Sequence, residues 1–231
     1  MGRVRPGAPG ARRFRDLRIN RIFEGTNQIM RLFIAREALD AHLNAAGDVV
    51  MPGVPPAKRL AGLVRAARFY AAWYPARWLS WSGWPKYAGL GPLATHMRWV
   101  DRTASRLARQ QFHLMVQHGP GLEKKQAQLF RCVDIGAELF AMAATCVRAH
   151  DDVRKSAADA TAIRIADVFC QQARHRIERL FAAIRSNADP AAYGLARDVL
   201  AGRYAWLEHG IIDAPEARHA EPERGAAAAG S

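Results

Sequence analysis

The sequence predicts an all-α fold. Apolar residues recur at three- and four-residue spacing along most of the chain, no segment shows the sustained alternation a strand needs, and Gly and Pro gather in clusters between the periodic segments. Half of the 231 residues are hydrophobic, enough to bury a substantial core.

A first helix is expected from about Arg12 to Glu24, ended by Gly25. Thr26 or Asn27 can cap a second helix that continues to about Leu43. Its Ile29, Met30, Leu32, Phe33, Ile34 and Leu39 leave little polar face, so burial on most sides is expected. Gly47, Pro52, Gly53, Pro55 and Pro56 then mark a boundary between two units.

A third helix is expected from about Pro56 to Trp73. Residues 75–95 hold Pro75, Gly83, Pro85, Gly89, Gly91 and Pro92 and read as an irregular connection, because proline removes a helix donor. Three longer helices follow, at about Thr95–Gln117, Leu122–His150 and Ser156–Asn187, then a shorter one at Pro190–Glu208 with proline in its first turn. Leu129, Val133, Gly136, Phe140, Ala143 and Val147 form one apolar stripe, and Ile163, Ala166, Cys170, Ile177 and Phe181 another. Such stripes predict a helical bundle around one core.

The chain divides accordingly. Residues 1–13, rich in Gly, Pro and Arg, and the tail 213–231, rich in Ala, Glu, Pro and Gly, are expected to be disordered. Residues 14–47 carry the first helix pair, 48–95 a basic, Trp-rich connection and 96–212 the bundle.

Thirty-four Lys and Arg against 21 Asp and Glu give a net charge of +13, which favours anionic partners: nucleic acid, a lipid surface or a phosphate-rich ligand. No nucleic-acid module is recognisable, so that partner is not expected. Cys132, Cys146 and Cys170 are odd in number and widely spaced, so neither a disulfide framework nor a zinc motif is readable, and a reducing compartment fits. The eight histidines show no ligand-like spacing, and no metal site is expected. The charge-free stretches fall short of the roughly 18 apolar residues a spanning helix needs. The Arg-rich start lacks the serines of a transit peptide, and its Gly and Pro would break an amphipathic helix.

One carboxylate stands out. In RIFEGTNQIMRLF, residues 21–33, Glu24 ends a helix among apolar residues and arginines. The negative end of the helix dipole disfavours an acid there by about 0.3–1 kcal/mol. The residues allow two readings: an ion pair with Arg21 or Arg31, or a general base whose pKa is lifted by apolar neighbours and the helix end.

The flanking order favours the second. RDLRINRIFEGTNQIMRLFIAREAL, including Arg15, Asp16, Ile19, Ile22, Glu24, Gly25, Thr26, Arg31, Leu32, Ala35 and Arg36, resembles the last helix pair of the acyl-CoA dehydrogenase core. The resemblance implies that residues 14–47 are the end of that family's helical domain. It also implies that Glu24 removes the α-proton of an acyl-CoA thioester while the β-hydrogen leaves as hydride to a flavin. Gly25 permits a sharp turn and close approach of the thioester. The backbone N–H of Glu24 helps to polarise the thioester carbonyl, and Thr26, Asn27 and Gln28 are implied contacts of FAD at a helix N-terminus. Simple capping would need only one of those three residues.

The chain continues well beyond this turn and so resembles the very-long-chain branch, whose members carry an additional C-terminal helical domain and form dimers. EKKQAQLFRCVDIGAELFAM, residues 123–142, is similar to a helix of that domain. The similarity implies an FAD contact at Gln126 and a buried polar pair at Arg131 and Asp134. A plain core helix with an i,i+3 ion pair explains the latter two as well. Electron-transfer flavoprotein is the implied electron acceptor, and a homodimer the implied assembly.

From Val49 to Val100 there is no acid, while Lys58, Arg59, Arg65, Arg68, Arg77, Lys86 and Arg98 are interleaved with Trp73, Trp78, Trp81, Trp84 and Trp99. In the helix from Pro56, Lys58, Arg65 and Arg68 share one face and Leu60, Leu63, Val64 and Ala67 another. Basic charge, an apolar face and interfacial aromatics suit an anionic membrane surface, so residues 56–88 are expected to dock there unless the tryptophans pack into the bundle. The implied location is the cytoplasm, peripheral on the inner membrane (the mitochondrial inner membrane in a eukaryote).

In the family this segment is preceded by an acyl-binding helical domain, a β-domain cradling the flavin and a Gly-rich turn. Residues 1–13 match none of these, so the chain is expected to hold the base without the walls of the active site and to be inactive alone. The alternative is a non-catalytic helical module for membrane docking or dimerisation.

Overall fold

A computed structural model describes residues 16–17, 19, 27–51, 53–79, 87–155 and 161–208. Among these there is no strand. Among the described residues six α-helices follow one another: α1 (Asn27–Val50), α2 (Pro56–Trp78), α3 (Ala94–His118), α4 (Gln126–Lys155), α5 (Thr161–Arg185) and α6 (Asp189–Leu200). Short 3-10 turns cover Ala88–Leu93, Gly119–Lys124 and Ala205–Glu208. The expected helix at residues 12–24 lies almost wholly outside the described residues.

The chain forms two compact units, Met1–Asn187 and Ala188–Ser231. The first holds α1 to α5. Its core is the seam between α4 and α5, where Ile135, Met142, Cys146, Cys170, Ala173 and Ile177 are all fully buried. On α5 the buried positions Ala166, Cys170, Ala173, Ile177, Phe181 and Ile184 step by three and four, which places one continuous stripe on α4. Each buried Ile, Met or Phe contributes about 1.5–3 kcal/mol relative to exposure. Helix α3 closes the core with Met97 and Leu114, and Leu93 plugs its entrance.

Three polar links pin this packing. One guanidinium nitrogen of Arg106 of α3 donates to both carboxylate oxygens of Glu178 of α5 at 2.7 and 2.9 Å, and two nitrogens of Arg176 of α5 donate to the two oxygens of Glu138 of α4 at 2.7 and 2.8 Å. His96, buried at the start of α3, meets Asp167 of α5 at 2.7 Å.

Helix α1 lies against α4 and pairs with α2. Its buried or core-facing residues are Ala35, Leu39, His42, Ala45 and Ala46, a single narrow stripe. Hence the expectation of burial on most sides is not met within this chain: Ile29 and Phe33 are each 60% exposed, and Met30, Leu32 and Ile34 are exposed as well. The α4 stripe is likewise corrected. Leu129 and Val133 face inward, but Phe140 is 75% and Val147 51% exposed, because the seam with α5 runs through Ile135, Leu139, Met142, Cys146 and Ala149.

Two helix ends lie beyond the expected ones. Helix α1 passes through Gly47 to Val50, since Ala45 and Ala46 bury against the unit and carry the helix onward. Helix α2 passes through Pro75 to Trp78, with Leu79 N–H bonded to Pro75 O at 2.9 Å. Pro75 sits in the last turn, where the missing donor costs only one bond, and contacts of Tyr74 with Phe112 and His113 of α3 hold that turn.

In the second unit, α6 starts with proline in its first turn and is followed by turns at residues 201–204. None of its side chains is buried.

Candidate functional site

Helix α1 presents its N-terminal turn with Asn27 and Gln28 exposed and no acidic residue in the first turn. Its leading backbone N–H groups have no partner within the helix, and the dipole there favours an anion. Glu24, Gly25 and Thr26 lie outside the described residues.

One turn along α1, Arg31 reaches Asp134 of α4 at 2.8 Å and lies over the Phe130 ring at 5.8 Å. Thus Asp134 is tied across helices, and it is part-exposed rather than buried. Both residues border a cavity of about 800 Å³ between α1, α4 and α5, with Glu138, Phe169, Arg176 and Arg179 among its walls. Three arginines face two carboxylates, so the cavity is net cationic. The Glu138 carboxylate holds the Arg176 guanidinium above its usual range.

A second cavity of about 580 Å³ lies between α1, the end of α3 and the start of α4. Its walls are largely apolar, with Leu39, Leu43, Met115 and Leu129, and Gln126 stands on its rim at the first residue of α4. Neither Asn27 nor Gln28 lines either cavity, so the structure does not gather these two with Gln126.

The donors present suit FAD in kind. The amide end of α1, with no acid in its first turn, and the cationic cavity beside it suit an anionic pyrophosphate. Amide side chains at Asn27, Gln28 and Gln126 are exposed and offer both donors and acceptors.

His42 at the back of the second cavity was not singled out from sequence. It is buried, its Nδ1 lies 3.1 Å from the Tyr70 hydroxyl, and it packs among Phe69, Trp73 and Phe112. Burial lowers its pKa. Its position on the Ala35–Leu39–Ala46 stripe was the available signal.

The basic, Trp-rich stretch divides. Trp73 stacks into the aromatic cluster with Tyr70 and Phe112, and Trp99 packs on the core beneath Arg174, so these two follow the packing reading. Trp78 is 60% exposed with Arg109 over its ring at 4.0 Å. Leu60, Leu63 and Val64 are each more than half exposed on the outer side of α2. Trp81 and Trp84 lie outside the described residues. Among the described residues no helix is long and apolar enough to cross a membrane, and no cluster of His, Cys, Asp and Glu forms a metal site.

Residues 92–201, which run from the entrance of α3 through α6, match the family model described as ACAD9/ACADV, C-terminal domain. Over 204 residues the chain is 50% identical to the probable acyl-CoA dehydrogenase FadE10 of Mycobacterium tuberculosis, covering 87% of this chain and 31% of that protein. It is 30% identical over 210 residues to the human very long-chain specific acyl-CoA dehydrogenase, mitochondrial, covering 88% of this chain and 31% of that protein. A probable acyl-CoA dehydrogenase of Bacillus subtilis is 25% identical over 170 residues, 72% of this chain and 25% of that protein. The chain therefore spans about a third of the length of the curated relatives it matches. No solved structure matches it. Residues 92–201 are thus matched by the C-terminal domain of the ACAD9/ACADV branch, and over most of its length the chain is similar to proteins named acyl-CoA dehydrogenase.

Proposed function

We propose that this chain serves as the C-terminal part of an FAD-dependent dehydrogenase that introduces the α,β double bond into long-chain acyl-CoA thioesters during fatty-acid β-oxidation. Glu24 is the base. The observation that carries the reading is the run from Arg15 to Leu39 joined to a matched C-terminal domain. The Arg31–Asp134 contact supports it, because Arg31, one of two candidate counterions for Glu24, already has an anionic partner.

In this mechanism Glu24 takes the α-proton onto its carboxylate. A thioester α-proton is a weak acid, so the base gains from a raised pKa, which apolar sequence neighbours such as Ile22 and Phe23 favour. Gly25 leaves room for the thioester, whose carbonyl accepts a bond from the Glu24 backbone N–H. Thr26, Asn27 and Gln28 in one place and Gln126 in another would contact separate parts of FAD, which when bound would accept the β-hydride. Electrons then pass to electron-transfer flavoprotein, and the complete enzyme is a homodimer. The 231 residues alone are inactive and acquire activity with the regions that make up the other two-thirds of the relatives.

The test is α-proton exchange in the complete enzyme. Glu24→Gln should abolish solvent-deuterium incorporation at the acyl α-carbon while acyl-CoA binding persists; undiminished exchange would refute the role. The absence of a visible flavin spectrum from the 231-residue chain would show that it is no dehydrogenase alone, and acyl-CoA turnover by that chain would overturn its assignment as inactive by itself.

A second reading concerns location. The outer ridge Leu60, Leu63 and Val64 is more than half exposed, as is Trp78 beside Arg109, and is flanked by Lys58 and Arg68, in a stretch without acid from 49 to 100. Residues 56–88 thereby dock on an anionic membrane, with α2 lying in the interface, and place the enzyme at the periphery of the inner membrane. Arg65 contributes less, since it bonds Asp48 at 2.5 Å. Flotation with anionic vesicles should be lost in Leu60→Glu/Leu63→Glu, and lipid-independent behaviour of the wild type would end the proposal.

A further inference from the structure

The buried seam between α4 and α5 contains a feature that neither proton abstraction nor flavin binding uses. Cys146 of α4 and Cys170 of α5 are fully buried and point at each other, with their sulfurs 3.6 Å apart. Of their seam neighbours one turn away, Ala149 on α4 and Ala166 and Ala173 on α5 are small, while Met142 on α4 is large and also fully buried. Nothing bulky at the three alanine positions props the helices apart. A disulfide requires sulfurs about 2.05 Å apart, so closure asks for an approach of roughly 1.5 Å. The third thiol, Cys132, lies four turns back along α4, about 21 Å at the rise of an α-helix, and is an internal control.

We propose that Cys146 and Cys170 are a reversible oxidation site, closed by peroxide into a disulfide that staples α4 to α5. The two thiols are not equivalent. The bond from Cys170 and the Arg174 guanidinium favour the thiolate at Cys146, whereas the same contact and burial push Cys170 up. Cys146 is therefore the attacking sulfur. Its thiolate takes one peroxide oxygen, the O–O bond breaks, and the departing hydroxide picks up a proton to leave as water. The resulting sulfenic acid is then displaced by the Cys170 sulfur: the S–S bond forms, the S–O bond breaks, and hydroxide leaves with the Cys170 proton as a second water. Two thiols lose two electrons and one peroxide gains them. Burial excludes bulky oxidants such as glutathione disulfide and leaves small ones, which enter with local opening of the seam.

Hydrogen peroxide applied to the 231-residue chain, followed by intact mass and non-reducing peptide mapping, tests this. The expected result is a loss of two hydrogens, a Cys146–Cys170 peptide, and return to the starting mass with dithiothreitol. Cys132→Ala should behave like wild type, while Cys146→Ser and Cys170→Ser should form no link. Circular dichroism before oxidation checks that the variants fold, and the wild-type map stands without them. Unchanged thiols, oxygen adducts without a link, or a link through Cys132 would each overturn the proposal.

Discussion

Arg31 on α1 and Asp134 on α4 are joined at 2.8 Å, the first in the later half of one matched motif and the second in the middle of the other. The contact ties the segment that carries Glu24 to the bundle. Both side chains are about one-third exposed, so the pair itself contributes only about 0–1 kcal/mol. Its consequence is for assignment. A double-mutant cycle between Arg31→Ala and Asp134→Ala should give measurable coupling in chemical denaturation, and a cycle between Arg31→Ala and Glu24→Gln should give none. Strong Arg31–Glu24 coupling would restore the structural reading of Glu24.

Gly62 is buried on α2 where it meets Asp48 and Val49 of α1. A Cβ added there would stand 2.9 Å from Asp48 Cβ, an atom next to the backbone that cannot swing away. Gly62→Ala should therefore destabilise the unit by about 1–3 kcal/mol despite alanine's better helix propensity. Gly47, inside α1, has nothing within 4 Å of an added Cβ, so Gly47→Ala should stabilise by about 0.5–1 kcal/mol. Urea denaturation of both variants checks the contrast.

The helical fold was legible because its signal is periodicity, and α3, α4 and α5 follow it closely. What the sequence could not rank was which apolar side faces inward when a helix has more than one. Phe140 and Val147 share a stripe with Val133, yet the small residues Cys146 and Ala149 draw α5 to a different side. Ile29, Met30, Phe33 and Ile34 read as buried because apolar side chains usually are, and their exposure reflects surfaces that α2 to α5 do not cover. Asn27, Gln28 and Gln126 were nameable by resemblance, but their separation on the two ends of the α1–α4 contact is a tertiary fact. His42 and the Cys146–Cys170 contact were invisible for the same reason: single residues gain meaning only from what another helix brings beside them.

The corrected stripe makes a direct prediction. Ile177 is fully buried, so Ile177→Ala should cost about 2–5 kcal/mol through lost burial and the cavity left behind. Phe140 is larger but 75% exposed, and Phe140→Ala should cost well under 1 kcal/mol. Thermal melts of the two variants decide it, and comparable losses would return Phe140 to the core.

His42 gives the unit a pH dependence whose sign follows from its surroundings. Phe69, Tyr70, Trp73 and Phe112 enclose the ring, the Tyr70 hydroxyl is its hydrogen-bond partner, and no carboxylate among the described residues is placed to balance a charge. Burial therefore lowers its pKa from the ordinary 6.5, and raises that of Tyr70. A depressed histidine binds its proton more readily in the unfolded chain. Its contribution is fully present above pH 6.5 and is lost as pH falls from there through the folded value, at a slope of up to about 1.4 kcal/mol per pH unit. Denaturation free energies measured from pH 7.5 to 5 should fall more steeply for wild type than for His42→Gln. Parallel curves would show that the ring is already solvated or paired in the folded state.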